Sequence, residues 1–514
     1  MYIVHFGDAG KMNKEERRLL LGGKGASLAE MSADLGLSVP SGFVITTEAF
    51  HRFHDEGSLS FLQKELTAAM SVIEETTSRS FGDSDDPLLV SVRSGAPVSM
   101  PGMMDTILNL GLNEKTTSAL AAKSNPAFAS ECRSRFESMF DEIVIQKRKS
   151  DIAHAPSDVW QQLRLAIEAV FHSWNSPRAR TYREVENISD DFGTAVTIQA
   201  MVFGNTSEDS GTGVLFTRNP STGSDELFGD FLPNAQGEDV VSGSHQTFGI
   251  TEMGKIVPEA FKELVEVAQS IENITTDMCD IEFTVEEKKL WILQSRIGKR
   301  TPIAAVRIAK EMAEDADFPL TRIQALHRVT PSQLQAALDM DHVSESSPSI
   351  AKGLGASPGV ATGQLVFTAD AAVEESDKGV AVLLVRPETS PADVHGMAVA
   401  QGIITATGGL ASHAAVVARG WSIPAVVGVT TLSLLENSAF FGDVALVEGD
   451  IVTLDGTTGE IFFGNTQIGE SKTTPAVETF LTWIEDTITE NCLELVPDAS
   501  PGDRLQVIQN MSNY

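Results

Sequence analysis

The sequence predicts a multidomain protein that combines α/β and α+β domains. Its 514 residues are enough for two to four domains of ordinary size. Hydrophobic residues make up 42% of the chain and charged residues 21%, values that are typical of folded globular proteins. After about residue 350, short runs of β-branched residues alternate with glycine-bounded helical segments, and this alternation predicts an α/β domain.

The α/β pattern occupies residues 353–465. Its strands are predicted at 364–368, 380–385, Gly402–Thr405 and Ala425–Val427. The polar, serine-rich segment 341–352 that precedes it is typical of a linker. Residues 466–514 predict a further linker, one amphipathic helix and a short remainder.

Residues 1–340 mix helical and strand patterns and form the predicted first domain. Strands are predicted at 88–92, 195–202, 280–285 and 290–295. The last two suit a hairpin whose loop of three residues, 287–289, pairs Glu286 with Leu290. Side chains alternate between the two faces of a strand, so this register determines which polar residues meet across the hairpin.

In that register Glu282 lies opposite Gln294, and Asp280 lies opposite Arg296. One face of the hairpin therefore carries carboxylates, an amide and a guanidinium, while the other face is mostly apolar. Carboxylate and amide oxygens suit Mg²⁺, and a guanidinium suits phosphate. A solvated sheet face with a cross-strand ion pair gives the same pattern, so the residues alone leave both interpretations open.

Two further basic residues lie in settings that suit phosphate. Lys24 follows a glycine pair just before a helical segment, and a helix N-terminus attracts anions. Arg93 ends a predicted strand and precedes a loop, 94–102, that is rich in proline and glycine and is typical of a lid or phosphate clamp. An ordinary turn explains the short run around Lys24 equally well.

The charge balance restricts the classes of partner. With 38 Lys+Arg against 71 Asp+Glu, the formal net charge is −33, which disfavours general binding to nucleic acid or to a membrane surface. A small polyanion remains possible where basic residues cluster locally. Because the sequence has no run of about 18 apolar residues, we expect a soluble, cytoplasmic protein.

His413 has the most specific setting of the ten histidines. A predicted buried strand ends in Gly408-Gly409, and Ser412 is placed to cap a helix that His413 begins and Gly420 ends. A helix N-terminus disfavours imidazolium, so the ring should stay neutral and nucleophilic near neutral pH. The same N–H groups stabilise an attached phosphoryl group, and these are the properties that a phosphohistidine carrier needs.

Several collinear segments resemble the pyruvate phosphate dikinase family, and together they extend to about residue 465. The clearest are LGGKGASLAEM (21–31), SVRSGAPVSMPGMMDTILNLGLN (91–113), QAMVFGN (199–205), SGTGVLFTRNPSTG (210–223), NAQGEDVVSG (234–243), DIEFTVEEKKLWILQSRIGKRT (280–301) and TGGLASHAAVVARG (407–420).

The resemblance implies an ATP-grasp-like nucleotide-binding domain over 1–340 and a swivelling phosphohistidine domain over 353–465. It implies His413 as the catalytic residue and Mg²⁺ as cofactor, held by Glu282 and Gln294. The implied ATP-binding residues are Lys24, Arg93, Gly102, Thr106, Met201, Val202, Asp280, Glu282, Gln294 and Arg296.

In this family the histidine takes the β-phosphoryl group of ATP and releases AMP, inorganic phosphate takes the γ-phosphoryl group to give pyrophosphate, and the phosphohistidine phosphorylates pyruvate at a C-terminal barrel. Three departures stand out in this sequence. About fifty residues follow Gly464, too few for a barrel of about 250 residues. Ala411 stands where the family usually has a regulatory threonine, and Pro97-Val98 replace a pair that usually includes a basic residue.

The acceptor therefore stays open. Pyruvate is expected only if another chain supplies a barrel. The alternatives are a dikinase relative that phosphorylates a glucan, an antibiotic or a metabolite, or a non-catalytic regulatory derivative. The retained site residues argue against the derivative. The sequence leaves an oligomer possible.

Overall fold

The computed structural model describes residues 1–98, 100, 103–146, 152–185, 187–241, 247–316, 318–338, 342–343, 348–410, 412–435, 438–466, 468–469, 473–496 and 498–511. The chain forms two compact units. The first comprises Met1–Gly211 and Glu282–Arg296, and the second comprises Thr212–Ile281 and Ile297–Tyr514. The mixed α/β class is confirmed. The predicted domain 1–340 is divided between the two units, and its boundaries stay predictions.

An antiparallel sheet of five strands organises the first unit. Its order is Ile3–His5, Gly42–Ile45, Ala195–Ala200, Val90–Gly95 and Thr106–Leu110. The central strand Ala195–Ala200 is buried along its whole length, because helices pack on the sheet. The helices that contact its strands are Lys14–Ala29, Thr47–Glu56, Gln63–Thr77, Pro126–Phe140 and Val159–Ser173. The unit also contains helices Glu114–Lys123 and Pro177–Val185. The predicted strands 88–92 and 195–202 are thus present with shifted ends.

The hairpin belongs to a second five-stranded sheet, ordered Phe248–Gly249, Phe228–Pro233, Gly211–Phe216, Cys279–Glu286 and Lys289–Ile297. Its predicted loop of three residues is wrong. The turn has two residues, Glu287 at φ 49° and Lys288 at φ 70°, which is the type I′ geometry that matches the twist of a hairpin. Glu286 is therefore placed to pair with Lys289.

A sheet of eight strands organises the C-terminal part of the second unit. Its order is Ala351–Lys352, Glu460–Phe463, Ile451–Asp455, Val360–Val366, Val382–Arg386, Gly402–Thr405, Ala425–Val427 and Leu354–Ser357. The four strands from Val360–Val366 to Ala425–Val427 are parallel. Parallel neighbours need crossover connections, and helices Ala369–Asp377, Val394–Val399 and His413–Trp421 supply them. The α/β pattern is confirmed.

Several small elements complete the described chain. Leu432–Leu435, Ser438–Phe441 and Val444–Val447 form a three-stranded sheet, and Ser80–Phe81 with Pro87–Leu88 and His342–Val343 with Ile468–Gly469 form two-stranded ones. Short 3₁₀ or π-helical turns lie at Phe6–Lys11, Glu30–Asp34, Ser60–Leu62, Asp141–Gln146, Asp190–Phe192, Ile250–Glu252 and Pro391–Asp393. Among the helices described, none combines the length and apolar character needed to cross a membrane.

Most of the remaining helices of the second unit share one apolar core with the C-terminal segment. They are Gly237–Val241, Pro302–Glu314, Arg322–Arg328, Pro331–Leu338, Pro475–Glu490 and Pro501–Gln509. Helices Met253–Ile256 and Pro258–Thr275 also belong to this unit. The segment after residue 466 contains two helices where the sequence predicted one. Phe480 and Leu505 from these helices share one buried apolar cluster with Ala304 and Leu326. The C-terminal helices are therefore an integral part of the second unit.

We expect Phe480→Ala to lower the free energy of unfolding by about 3–5 kcal/mol, because it empties a fully buried ring volume. Chemical denaturation monitored by circular dichroism measures this. Val496→Ala is the control, since Val496 is 68% exposed and should change stability by less than about 0.5 kcal/mol. Equal, small effects of both changes would show that the C-terminal helices contribute little to the core.

Candidate active site

Arg93 is at the centre of a charged cluster in the first unit. It lies on strand Val90–Gly95, with Thr106 as its neighbour on one side and Thr197 on the other. Its guanidinium donates to a carboxylate oxygen of Glu282 at 3.1 Å. Two residues that the sequence predicted separately, Arg93 and Glu282, are thus brought into direct contact, and Thr106 lies directly beside Arg93.

The environment of Glu282 shows which other charges are near. Burial raises the pKa of this carboxyl group, but the cations of Arg93, Arg296 and Lys24 outweigh burial, so its pKa lies below the ordinary value. The group is therefore ionised at neutral pH. Three cations thus lie near one carboxylate in a chain that is acidic as a whole. Such a local cluster of basic residues attracts a polyanion.

A break in a helix positions Lys24. Helix Lys14–Ala29 contains one non-helical residue, Gly22, at φ 69° and ψ 167°. A Cβ at this position would lie 1.9 Å from the carbonyl oxygen of Gly95, and the next N–H, from Gly23, donates to the carbonyl of Ala96 at 2.8 Å. Helix and strand end therefore meet so closely that only glycine fits, and Lys24 is held beside the end of the Arg93 strand.

The hairpin carries the other predicted phosphate and metal ligands. Near its turn, Glu286 is placed to pair with Lys289. At its far end the N–H of Gly298 donates to the carbonyl of Met278 at 2.9 Å. Buried and less buried residues alternate along strand Lys289–Ile297 as far as Gln294, but Gln294 and Ser295 are both buried. The strict alternation that placed Gln294 and Arg296 on one face does not run through the whole strand.

The remaining predicted ATP ligands occupy three different settings. Met201 and Val202 directly follow strand Ala195–Ala200, and the N–H of Met201 donates to the carbonyl of Leu89 at 2.9 Å. Asp280 is buried and belongs to the second unit, whereas Glu282, Gln294 and Arg296 belong to the first. Gly102 and Ala411 lie outside the described residues. The roles of these residues stay predictions.

His413 begins helix His413–Trp421 after the parallel strand Gly402–Thr405. Two predictions about its helix are wrong. Ser412 occupies the N-cap position but makes no side-chain capping bond, and the helix ends at Trp421 with Ser422 in a left-handed conformation at φ 57°. The C-terminal ends of parallel strands are where α/β sheets bind ligands, so the topology favours a functional role for His413.

Among the described residues, the imidazole of His413 has a polar contact at one nitrogen and none at the other. Its Nδ1 lies 3.1 Å from the hydroxyl of Thr389, while its Nε2 is buried and has no hydrogen-bond partner among the described residues. Burial lowers the pKa of His413 to about 4, although the carboxylate of Asp393 opposes this shift. The ring is therefore neutral at pH 7. When Nδ1 carries the proton and donates it to Thr389, the lone pair on Nε2 is available for nucleophilic attack.

Asp393 is itself strongly engaged. It accepts from the N–H and hydroxyl of Ser390 at 2.8 and 3.0 Å, and it pairs with Arg386 at 3.2 Å. These partners limit its effect on His413. Sequence reasoning missed both Asp393 and Thr389, although the Ser-Pro-Ala-Asp capping box at 390–393 was a readable signal of a fixed turn.

Comparisons with known proteins agree with this geometry. The family described as "Pyruvate phosphate dikinase, AMP/ATP-binding domain" matches residues 18–61, 60–253 and 249–317. The family described as "PEP-utilising enzyme, mobile domain" matches residues 380–459. The chain belongs to the pyruvate phosphate dikinase family. The mobile-domain match contains His413, and the nucleotide-domain match contains Lys24, Arg93, Glu282 and Arg296.

Named relatives extend the similarity over most of this chain. Pyruvate, phosphate dikinase 1, chloroplastic, from Arabidopsis thaliana is 44% identical over 533 residues, which cover 94% of this chain and 55% of the relative. The chloroplastic pyruvate, phosphate dikinase of Mesembryanthemum crystallinum is 43% identical, with 99% and 58% covered. Pyruvate, phosphate dikinase 2 from Zea mays is 42% identical, with 94% and 60% covered. The chain thus spans 55–60% of the length of these relatives.

We expect Gly22→Ala to destabilise the protein by more than about 2 kcal/mol, because it adds a backbone clash to the cost of a positive φ. It should also weaken ATP binding through displacement of Lys24, as measured by isothermal titration calorimetry. Gly36→Ala is the matched control. Gly36 has φ +62° but no atom within 4 Å of the added Cβ. Its substitution should therefore lower the free energy of unfolding by about 1–2 kcal/mol, the cost of the backbone conformation alone. Equal losses in both variants would contradict the close approach at Gly22.

The low pKa of His413 predicts a specific loss of stability in acid. A histidine of the unfolded chain takes up a proton near its ordinary pKa of 6.5, whereas folded His413 does so only near pH 4. The contribution of this group is therefore present above pH 6.5 and is lost as pH falls toward 4. His413→Gln should lose less stability across this window than the wild type does, as measured by urea denaturation at several pH values. Parallel losses would contradict a buried, neutral ring.

Proposed function

We propose that this protein is an ATP-dependent, AMP-forming phosphotransferase that carries a phosphoryl group on His413. The observation that carries the proposal is the state of His413 itself, a buried neutral imidazole whose Nδ1 contacts Thr389 and whose Nε2 has no hydrogen-bond partner among the described residues. The family and the parallel-sheet location support the same role. We further propose an ATP-grasp-like nucleotide-binding domain over 1–340 and a swivelling phosphohistidine domain over 353–465.

The cations of the first unit would bind the phosphates of ATP. Lys24, Arg93 and Arg296 surround Glu282, and positioning with charge neutralisation is most of what phosphoryl transfer requires from a protein. The proposed ATP-binding set is completed by Gly102, Thr106, Met201, Val202, Asp280 and Gln294. Met201 and Val202 would lie beside the adenine.

Mg²⁺ fits the donors that are present. Glu282 supplies an ionised carboxylate, and Gln294, which is 7% exposed, supplies an amide oxygen. Mg²⁺ in nucleotide sites commonly uses one or two protein oxygens together with substrate phosphates and water. The three surrounding cations disfavour a lone metal ion here, so we propose that Mg²⁺ binds together with ATP. When bound, it would neutralise charge on the phosphates.

In the proposed reaction, Nε2 of His413 attacks the β-phosphorus of ATP while the bond from that phosphorus to the α–β bridging oxygen breaks. AMP leaves with the electron pair, and a pyrophosphoryl group remains on the histidine. Inorganic phosphate then attacks the γ-phosphorus, pyrophosphate leaves, and a phosphoryl group stays on Nε2. Thr389 would hold the Nδ1 proton and thereby keep the lone pair on Nε2 available for attack.

The acceptor is proposed from the relatives, whose names specify pyruvate. No sheet among the described residues closes into an eight-stranded barrel. We propose pyruvate as the acceptor where another chain supplies such a barrel. A different acceptor remains the second candidate. A cytoplasmic location and an oligomeric state stay predictions.

The direct test uses ATP labelled separately at the β and γ positions. We expect AMP release and retention of the β label on the protein in the presence of Mg²⁺ and phosphate, with the γ label recovered in pyrophosphate. His413→Ala should retain no label, whereas His395→Ala, which alters an exposed histidine, should label normally. Absence of β label on the wild-type protein would refute the proposed reaction. Discharge by pyruvate alone would show that this chain contains an acceptor site.

A further inference from the structure

Arg419 is a cation enclosed in the protein beside the proposed catalytic loop. It lies on helix His413–Trp421, six positions after His413, and its residue is only 1% exposed. Burial lowers the pKa of its guanidinium to about 10, and the carboxylates of Asp280 and Asp230 oppose this shift. The group therefore remains charged at neutral pH. Burying a cation costs several kcal/mol unless it is well paired, so the contacts that compensate it are informative.

The guanidinium joins two segments of backbone. One of its nitrogens donates to the carbonyl of Ala356 at 3.0 Å, and another donates to the carbonyl of Leu410 at 2.7 Å. Ala356 belongs to strand Leu354–Ser357 of the eight-stranded sheet. Leu410 lies three residues before His413 in the loop that leads to it. The forked donor set of arginine suits such a bridge between two fixed acceptors.

Among its described residues, the loop that Arg419 holds has few other constraints of its own. Gly408 adopts φ 101°, and the Ser412 hydroxyl, which should cap the helix, makes no capping bond. Within this described part of the loop, one turn bond runs from the N–H of Ser412 to the carbonyl of Gly409 at 3.1 Å. His413 is the first helical residue and lies three positions after Leu410, so the position of the Leu410 carbonyl bears on where the imidazole lies.

Acidic groups surround the same place from the neighbouring segments of the second unit. Asp280 and Asp230 attract Arg419, and Asp230 accepts from the hydroxyl of Thr247 at 2.9 Å. The Asp230 carboxylate oxygens would lie 2.7 and 2.8 Å from a Cβ at position 409, so the loop can approach only because Gly409 has none. The loop is thus held between the guanidinium and a carboxylate that also attracts that guanidinium.

We propose that Arg419 is a positioning residue for phosphorylation of His413, acting through the Leu410 carbonyl to hold the imidazole in the orientation needed for attack. The proposal deepens the function proposed for His413 and rests on it. Arg419 does not touch the reacting atoms in this arrangement. Arg419 keeps the loop before His413 in contact with the sheet. It thereby maintains both the burial of the imidazole and its contact with Thr389.

The main test compares Arg419→Met with Arg183→Met. Arg183 is an equally enclosed arginine, 2% exposed, which donates to the carbonyl of Trp174 in the first unit, far along the sequence from His413. We expect Arg419→Met to slow β-label transfer to His413 by about 10- to 100-fold, the size of effect that a small misplacement causes. The KM for ATP should change less than about twofold, because the cationic cluster of the first unit is untouched. Folded Arg183→Met protein should transfer the β label to His413 at the wild-type rate.

A second readout does not depend on activity. Selective ¹³C labelling of histidine allows the His413 ring to be titrated by NMR, with His413→Gln identifying its signal. The wild-type midpoint should lie near pH 4, and loosening of the loop in Arg419→Met should move it at least about one unit toward 6.5 by admitting water. The groups that face the ring, Thr389 and Asp393, are unchanged in the variant. A normal rate and an unchanged midpoint in folded Arg419→Met would overturn the proposal.

Arg419→Lys covers the case in which the methionine variant fails to fold. Lysine keeps the positive charge against Asp230 and Asp280 but lacks the fork that reaches both carbonyls. We expect a folded protein with a reduced transfer rate and a raised His413 midpoint. If folded Arg419→Lys has the wild-type transfer rate and the wild-type His413 midpoint, positioning by the two-carbonyl contact of the guanidinium is refuted. If wild-type protein takes no label at all, the proposed function fails, while the ring titration still decides whether Arg419 positions His413.

Discussion

The charged cluster of the first unit depends on one interaction, the contact between Arg93 and Glu282 at 3.1 Å. Partial burial makes each charge costly alone, and a buried charge that loses its partner is strongly destabilising. This pairing requires that the strand carrying Arg93 and the hairpin carrying Glu282 stay together. The glycine contact between Gly22 and Gly95 then adds Lys24 to the same place. Local architecture thereby concentrates cations in a chain whose net charge is −33.

Burial has opposite outcomes for the charge states of Glu282 and His413. Around Glu282, cations compensate burial and the group stays charged. Around His413, burial prevails over the weaker opposing effect of Asp393 and the ring stays neutral. Each outcome suits its proposed role, because phosphates require fixed positive charge whereas a nucleophile requires an available lone pair. The difference follows from which partners the surrounding backbone presents, since Asp393 is already occupied by Ser390 and Arg386.

Sequence patterns predicted those elements of the fold that are determined by residues close together in the chain. The strands of the α/β domain and the position of His413 followed from β-branched runs and glycine boundaries. The hairpin was predicted correctly, but its turn was predicted to have three residues and has two. Glu287 and Lys288 both have a positive φ, and neither residue type indicates this in the way that Asn-Gly would. The burial of both Gln294 and Ser295, which interrupts the alternation of the second strand, has no simple sequence signal. Thr389 and Arg419 reach the site only through tertiary packing.

The contacts of His413 also bear on what happens after phosphorylation. A phosphoryl group would bring negative charge next to the carboxylate of Asp393, and the one direct polar contact of the ring among the described residues, Thr389, is neutral. A phosphohistidine stabilised by several cations would be a poor donor, because those contacts would have to be broken in the transfer step. The cluster of cations lies with Glu282 in the first unit, where it would favour reaction with bound nucleotide. A neutral, confined imidazole in the second unit is therefore suited to accept the group and to give it up again.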